Sequence, residues 1–323
     1  MKLGLAARIG LFGGAAVLVA LLPFALSGYN QVLASKVALY FTAILGLQIL
    51  TGYTGQISIG HGAFMAIGGY TTAILAAKHG WGLIPTIPIA FLIAFGCGVA
   101  LGLPASRLSG VYLALATLAF AVSIQQLPLK FSHFLNARNG IQVTQSIGYL
   151  WLYGVSWACA AIVLVAAWLV LRGRTGRACR AVRDSEIAAT SSGVGLAQYK
   201  TLAFGISAGF AGVAGSLFVL ATQGYAQPDE FSITLSLNIL IGAAVAGLGS
   251  LWGVPIGAIF VALLPNISES APLIGSIHGQ DVAFGVVVIV VMLVLPGGAA
   301  GLFGSIGRRL STKAPGLRAE TGP

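Results

Sequence analysis

The chain is built from a succession of apolar runs, many of about 18 residues or more, long enough for a helix to cross roughly 30 Å of hydrocarbon. Only 7% of residues are charged while 57% are hydrophobic, so there is too little polar surface to cover so many apolar segments in water. Within lipid every backbone polar group needs a partner, which leaves helices or a closed barrel. The runs lack the period-2 alternation of barrel strands, so the expected fold is an all-α polytopic membrane protein.

Taken in order, the runs cover residues 9–27, 36–50, 60–77, 84–104, 111–126, 150–171, 201–222, 233–247, 251–265 and 281–303. The second, fifth, eighth and ninth are short for full crossings, and eight, nine or ten spans all remain open. The first run follows Lys2 and Arg8 and ends at Ala25-Leu26-Ser27, as a secretory signal would. Its length exceeds the usual ~7–15 residues of a signal core, so it reads as a retained span.

Charge supplies the expected orientation, because lysine and arginine in short loops stay cytoplasmic. With both termini inside, thirteen of the 17 basic residues (Lys2, Arg8, Arg107, Arg172, Arg174, Arg177, Arg180, Arg183, Lys200, Arg308, Arg309, Lys313 and Arg318) are cytoplasmic. Only Lys36, Lys78, Lys130 and Arg138 lie outside. Asp184, Glu186 and Glu320 fall inside and Asp229, Glu230, Glu269 and Asp281 outside, so the whole formal +10 sits on the cytoplasmic face. Such a balance suits loops beside an anionic leaflet, with membrane lipid as the partner, and no basic and aromatic interleaving suggests nucleic acid. On this reading no Asp, Glu, Lys or Arg sits well inside a span.

Other chemistries find little purchase. Cys97 and Cys159 fall within spans and Cys179 within the basic loop, so no disulfide is expected. His61, His79, His133 and His278 show no metal-ligand spacing, and no metal is expected. Ser58 and His61 stand close together, but GQISIGHG is not a G-x-S-x-G elbow and no catalytic residue is expected.

Two segments carry information beyond hydropathy. Thr51 to Tyr70 holds Gly52, Gly55, Gly60, Gly62, Gly68 and Gly69 among polar Gln56, Ser58 and His61. It reads either as a broken helix exposing backbone groups along a solute path, or as tight helix packing. Gln48, Thr51, Gln56, Ser58, Thr117 and Ser123 are correspondingly either lining residues or hydrogen bonders between helices. Arg172 to Lys200 is the one long basic interruption between membrane-length runs, and within it Glu186-Ile187-Ala188-Ala189 precedes Gly193 by the spacing of a short docking helix. A third cluster, Gly247 to Pro255, reads as a tight turn with Trp252 at interface depth and Pro255 in the first turn of the next helix.

GYTGQISIGHGAFMAIGGYTTAIL at Gly52 to Leu75, SGVYLALATLAFA at Ser109 to Ala121, GRACRAVRDSEIAATSSGVGLAQYKTLAF at Gly176 to Phe204 and AGLGSLWGVPIGA at Ala246 to Ala258 resemble the permease subunits of branched-chain amino acid ABC importers. The nearer likeness is to the M-type permease of that family. The matching blocks run in family order from about residue 36 to 304. The sequence departs from the family pattern in LNARNGIQVT at Leu135 to Thr144, which lacks paired glycines, and at Ala246, where a glycine is common.

The resemblance implies a permease domain over 1–307, with a cytoplasmic coupling loop at 172–200 and a basic cytoplasmic tail at 308–323. It implies passage of branched-chain, hydrophobic amino acids across a bacterial inner membrane, beside a second, H-type permease, two cytoplasmic ATPase subunits and a periplasmic substrate-binding protein. Related permeases serve urea and short amides. The family's E-A-A-x-x-x-G loop maps onto Glu186, Ala188, Ala189 and Gly193, with Arg180, Arg183 and Asp184 as charged contacts to the ATPase. The chain has no G-x-x-x-x-G-K-[ST] loop and is expected to bind no cofactor, leaving ATP to its partners. A self-contained secondary transporter would call for an intramembrane ionisable residue, and a channel for a continuous polar stripe; the sequence reading finds neither.

Overall fold

A computed structural model describes residues 26–130, 140–145 and 147–269, together with 22, 23, 285, 289, 293 and 298. Most of the expected first span and of the last, the residues of Leu135 to Thr144 before Gly140, and the tail at 308–323 lie outside the described residues.

The described chain is helical throughout its apolar runs. α1 spans Gly28–Leu47 and continues as a π-helical turn over Gln48–Tyr53, giving one apolar segment of 26 residues. α2 (His61–His79), α3 (Leu83–Ala105), α4 (Val111–Lys130) and α5 (Tyr149–Arg172) follow. Two short helices, α6 (Arg174–Asp184) and α7 (Glu186–Ser191), then lead into α8 (Leu196–Ala221). α9 (Ile233–Ala246) and α10 (Val254–Glu269) complete the set. A two-residue antiparallel pair, β1 (Ile141–Gln142) with β2 (Tyr225–Ala226), and a 3₁₀ turn at Asp229–Phe231 close the end of the bundle opposite α6 and α7. Five described helices are long and apolar enough to cross a membrane, and the protein is a multi-pass, all-α membrane protein.

Two expectations change. The run at 36–50 looked short, but its helix starts at Gly28 and ends at Tyr53, borrowing polar residues at both ends. Lys36 is therefore not at the mouth of a span: it stands eight residues into α1, about 12 Å along its axis at 1.5 Å per residue. The 26-residue segment is about 39 Å long against roughly 30 Å of hydrocarbon, so Lys36 lies in its outer third and not in the loop before it. α9, at 14 residues, stays short, reaching only about 21 Å.

α1 and α8 form the buried centre, while α3, α4 and α5 leave side chains such as Leu92, Leu115 and Ile162 more than half exposed, as lipid-facing helices do. The centre is dense because α8 carries Gly205, Gly209, Gly212 and Gly215 at three- and four-residue spacing. A methyl group added at Gly215 would overlap the carbonyl of Met65 in α2, and one at Gly209 would meet Phe91 of α3. Hydroxyls then tie the helices together, as when Thr72 donates to Ser216 over 2.8 Å.

Candidate functional site

The segment between α1 and α2 breaks the helix inside the bundle. α1 widens to π-helical pitch, ends at Tyr53, and the chain runs without helix through Gly55 to Gly60 before α2 starts at His61. Gly55 takes φ +74°, the left-handed region that favours glycine. Gly52, Gly60, Gly62, Gly68 and Gly69 instead lie where an added methyl group would press on Gly249, Thr117, Ser236, Gly212 and Phe231 respectively, so they serve close approach.

The break frees backbone groups inside the bundle, and the expected polar residues are the ones that satisfy them. Thr117, 1% exposed, accepts the N–H of Ile59 at 3.0 Å. Ser58 accepts from Gly60 N–H at 3.3 Å, and Ser236 of α9 from Gly62 N–H at 2.9 Å. Thr51 donates to the Gln56 carbonyl at 3.0 Å, while Gln56 Nε2 donates to Thr54 at 3.2 Å and to the Lys200 carbonyl at 3.4 Å. Gln48 is wholly buried: its Nε2 donates to the carbonyls of Ala243 and Gly247, and its Oε1 accepts from Gly249 N–H at 2.8 Å. His61 Nε2 lies 2.8 Å from Ser207 Oγ, which itself donates to the Gly46 carbonyl at 2.7 Å. Ser123 stands apart; it is exposed and donates back to Ala119 within α4. Five of the six pathway candidates thus converge on the break, each engaged with backbone across it.

The basic loop meets the break at the same end. α6 buries Gly176, Ala178, Cys179 and Val182 and exposes arginines on its other face. Arg183 donates through Nη1 to the Gly52 carbonyl, reaching the π-helical turn and the Gly249 turn together. Arg180 donates to the carbonyls of Gly176 and Leu171, and its guanidinium lies 5.9 Å from the Tyr53 ring centroid. Asp184 ends α6, exposed. Burial pushes the Cys179 thiol up to about 11, with Arg180 pulling the other way.

α7 has only six residues, too few to hold helix alone, and is fixed by both its ends. Ser185 accepts the Ala188 N–H at 3.3 Å as the N-cap. At the other end Gly193, at φ +79°, gives its N–H to Thr190, and Val194 gives its N–H to Ala189, the two bonds of a Schellman stop. Glu186 pairs with Lys200 of α8 at 2.8 Å. Lys200 is 5% exposed and Glu186 about half exposed. Ala189 packs inward, whereas Ala188 is exposed and Ile187 is 83% exposed, so an apolar knob projects beyond the bundle. The E-I-A-A spacing foretold the helix and its glycine stop; the reach of Arg183 to Gly52 and the Glu186–Lys200 pair were not legible, since both depend on tertiary placement.

The chain matches the family model described as branched-chain amino acid transport system, permease component, over residues 31–296. It is 32% identical over 278 residues to the high-affinity branched-chain amino acid transport system permease protein LivM of Escherichia coli (strain K12), covering 76% of this chain and 65% of the relative. LivM of Salmonella typhimurium is also 32% identical, over 75% of this chain and 64% of its own length. LivH of Escherichia coli (strain K12) is 25% identical, over 81% of this chain and 91% of the relative. The chain thus spans a little under two-thirds of the LivM proteins it matches. No solved structure matches it.

Proposed function

This chain belongs to the family of branched-chain amino acid transport system permease components, and we propose that it forms one half of the translocation path of an ATP-binding-cassette importer for branched-chain amino acids. The family match over residues 31–296 carries the reading. The path would be shared with an H-type permease, fed by a periplasmic binding protein and driven by two cytoplasmic ATPases in a bacterial inner membrane. The basic end is then cytoplasmic, in keeping with the arginines of α6. This chain binds no ATP itself.

α7 is the coupling helix on this account. Ile187 and Ala188 offer a small apolar surface for a groove on the ATPase, with Arg180, Arg183 and Asp184 beside it. Force on α7 reaches α8 through Glu186 and Lys200, and force on α6 reaches the broken helix through Arg183 and Gly52. Gln48 passes the displacement to the turn between α9 and α10. Alternation then amounts to exchanging the hydrogen-bond partners that now hold the break closed.

Affinity purification of the tagged chain from its native membrane in mild detergent, with mass spectrometry of what stays bound, tests this. A cytoplasmic ATPase and a second permease are expected. Recovery of this chain alone, under conditions that preserve other membrane complexes, would overturn the importer reading.

A further inference from the structure

At the far end of the bundle lies a charge arrangement that the coupling path does not use. Ile44 of α1 abuts Gly242 of α9, and Gln48, four residues on, bonds Ala243 and Gly247, so α1 and α9 run parallel in a fixed register. Eight residues back from Ile44 is Lys36, and eight back from Gly242 is Thr234, one turn after the Asp229–Phe231 3₁₀ turn. Lys36 therefore stands at the level of Glu230, within its electrostatic reach. The two do not close on each other, because Lys200–Glu186 is the one ion pair within 4.0 Å among the described residues.

Glu230 Oε2 is buried without a hydrogen-bond partner, and so is the hydroxyl of Tyr70, a residue 8% exposed whose ring packs 5.9 Å from Phe231. Burial raises the Glu230 carboxyl above the ordinary range, opposed by a backbone hydrogen bond at Gln227 and by Lys36. Exposed Asp229 is its neighbour. A carboxylate oxygen and a hydroxyl, both buried without a partner, with a lysine level with the acid, leave bonds that a ligand would satisfy, since buried polar groups need partners.

We infer that Lys36, Tyr70 and Glu230 form a receiving site for the zwitterionic backbone of a free α-amino acid. Glu230 accepts N–H bonds from the substrate ammonium, Lys36 donates to its carboxylate, and the Tyr70 hydroxyl donates to the same carboxylate. The site rests on the permease reading and sharpens it: it reads the part common to all branched-chain amino acids, leaving the side chain free, and it has no use for uncharged urea or short amides.

The test uses the purified complex in proteoliposomes, with leucine uptake, basal ATP hydrolysis and subunit recovery measured together. Lys36→Met and Glu230→Gln should each lower uptake about tenfold or more, as expected for removing one charge of a desolvated pair, with basal hydrolysis and recovery unchanged. Tyr70→Phe should lower it about threefold, the scale of one hydrogen bond. As a measurement independent of any variant, the wild-type complex without binding protein should bind leucine at least about tenfold more tightly than leucinamide or isocaproate, which each lack one charge. Wild-type uptake matched by both charge variants, or equal binding of the three ligands, overturns the site while leaving the permease reading intact. Failure of the wild-type complex to carry any amino acid with ATP present overturns both.

Discussion

At the basic end of the bundle Gln48, Thr51, Gln56, Thr117, Arg183 and Lys200 each have a partner and only His61 Nδ1 and Thr201 Oγ1 lack one among the described buried side-chain atoms, whereas at the far end an ionisable carboxylate oxygen, Glu230 Oε2, and the Tyr70 hydroxyl are buried with none. Both ends place polar groups among apolar helices, where an unmet donor or acceptor costs about 1–3 kcal/mol. The pairing differs because the tasks differ. A segment that transmits force must be bonded to the elements it moves, while a segment that receives a ligand must leave the ligand's bonds unmade.

The largest expected effect tests the connected end. Glu186→Lys places a second cation beside Lys200 and removes the link from α7 to α8. Uptake should be abolished while membrane insertion is unchanged; normal uptake would remove α7 from the account. A contrast of two variants comes next. Gln48→Leu leaves the N–H of Gly249 and the carbonyls of Ala243 and Gly247 without their side-chain partner, and should cost about 2–3 kcal/mol in thermal unfolding of the purified protein. Tyr70→Phe removes a hydroxyl that has no partner, and should leave stability unchanged or slightly raised. Equal destabilisation by the two would erase the difference between the ends.

A pH experiment sharpens the far end further. Lys36 holds the Glu230 carboxyl down against the effect of burial, and Lys36→Met lets it rise. Uptake that depends on the carboxylate should then fail at a higher pH on acidification than in the wild type. Stability has the opposite sign: a carboxyl raised in the folded state stabilises it when protonated, a contribution lost as pH rises through the folded value. An uptake profile unmoved by Lys36→Met would detach Lys36 from Glu230. The smallest effect concerns Cys179, 1% exposed with its thiol pushed up to about 11 by burial. Maleimide at neutral pH should leave it unlabelled in the folded protein, and rapid labelling would show that α6 is not packed as described.

Hydropathy made the spans legible because lipid imposes a length on each helix, and the positions of α2, α3, α5 and α8 follow the apolar runs within a few residues. The start of α1 was hidden because a lysine looks like a boundary when only local hydropathy is read, whereas the helix begins eight residues earlier, at Gly28. The glycines between Gly52 and Gly69 announced a break or close packing, and the structure contains both, at Gly55 to Gly60 and at Gly68. Glu186 to Gly193 encodes its own caps, so α7 was readable. Lys36, Tyr70 and Glu230 were not, since they come from three elements that only the parallel register of α1 and α9 brings level.

ATP-driven uptake of leucine by the purified complex in proteoliposomes, with binding protein outside and no ion gradient, tests the central claim most directly. Accumulation that requires hydrolysable ATP and disappears with Glu186→Lys is the result expected. Uptake that persists without ATP and follows an imposed proton or sodium gradient would contradict the importer reading, and with it the role of α7.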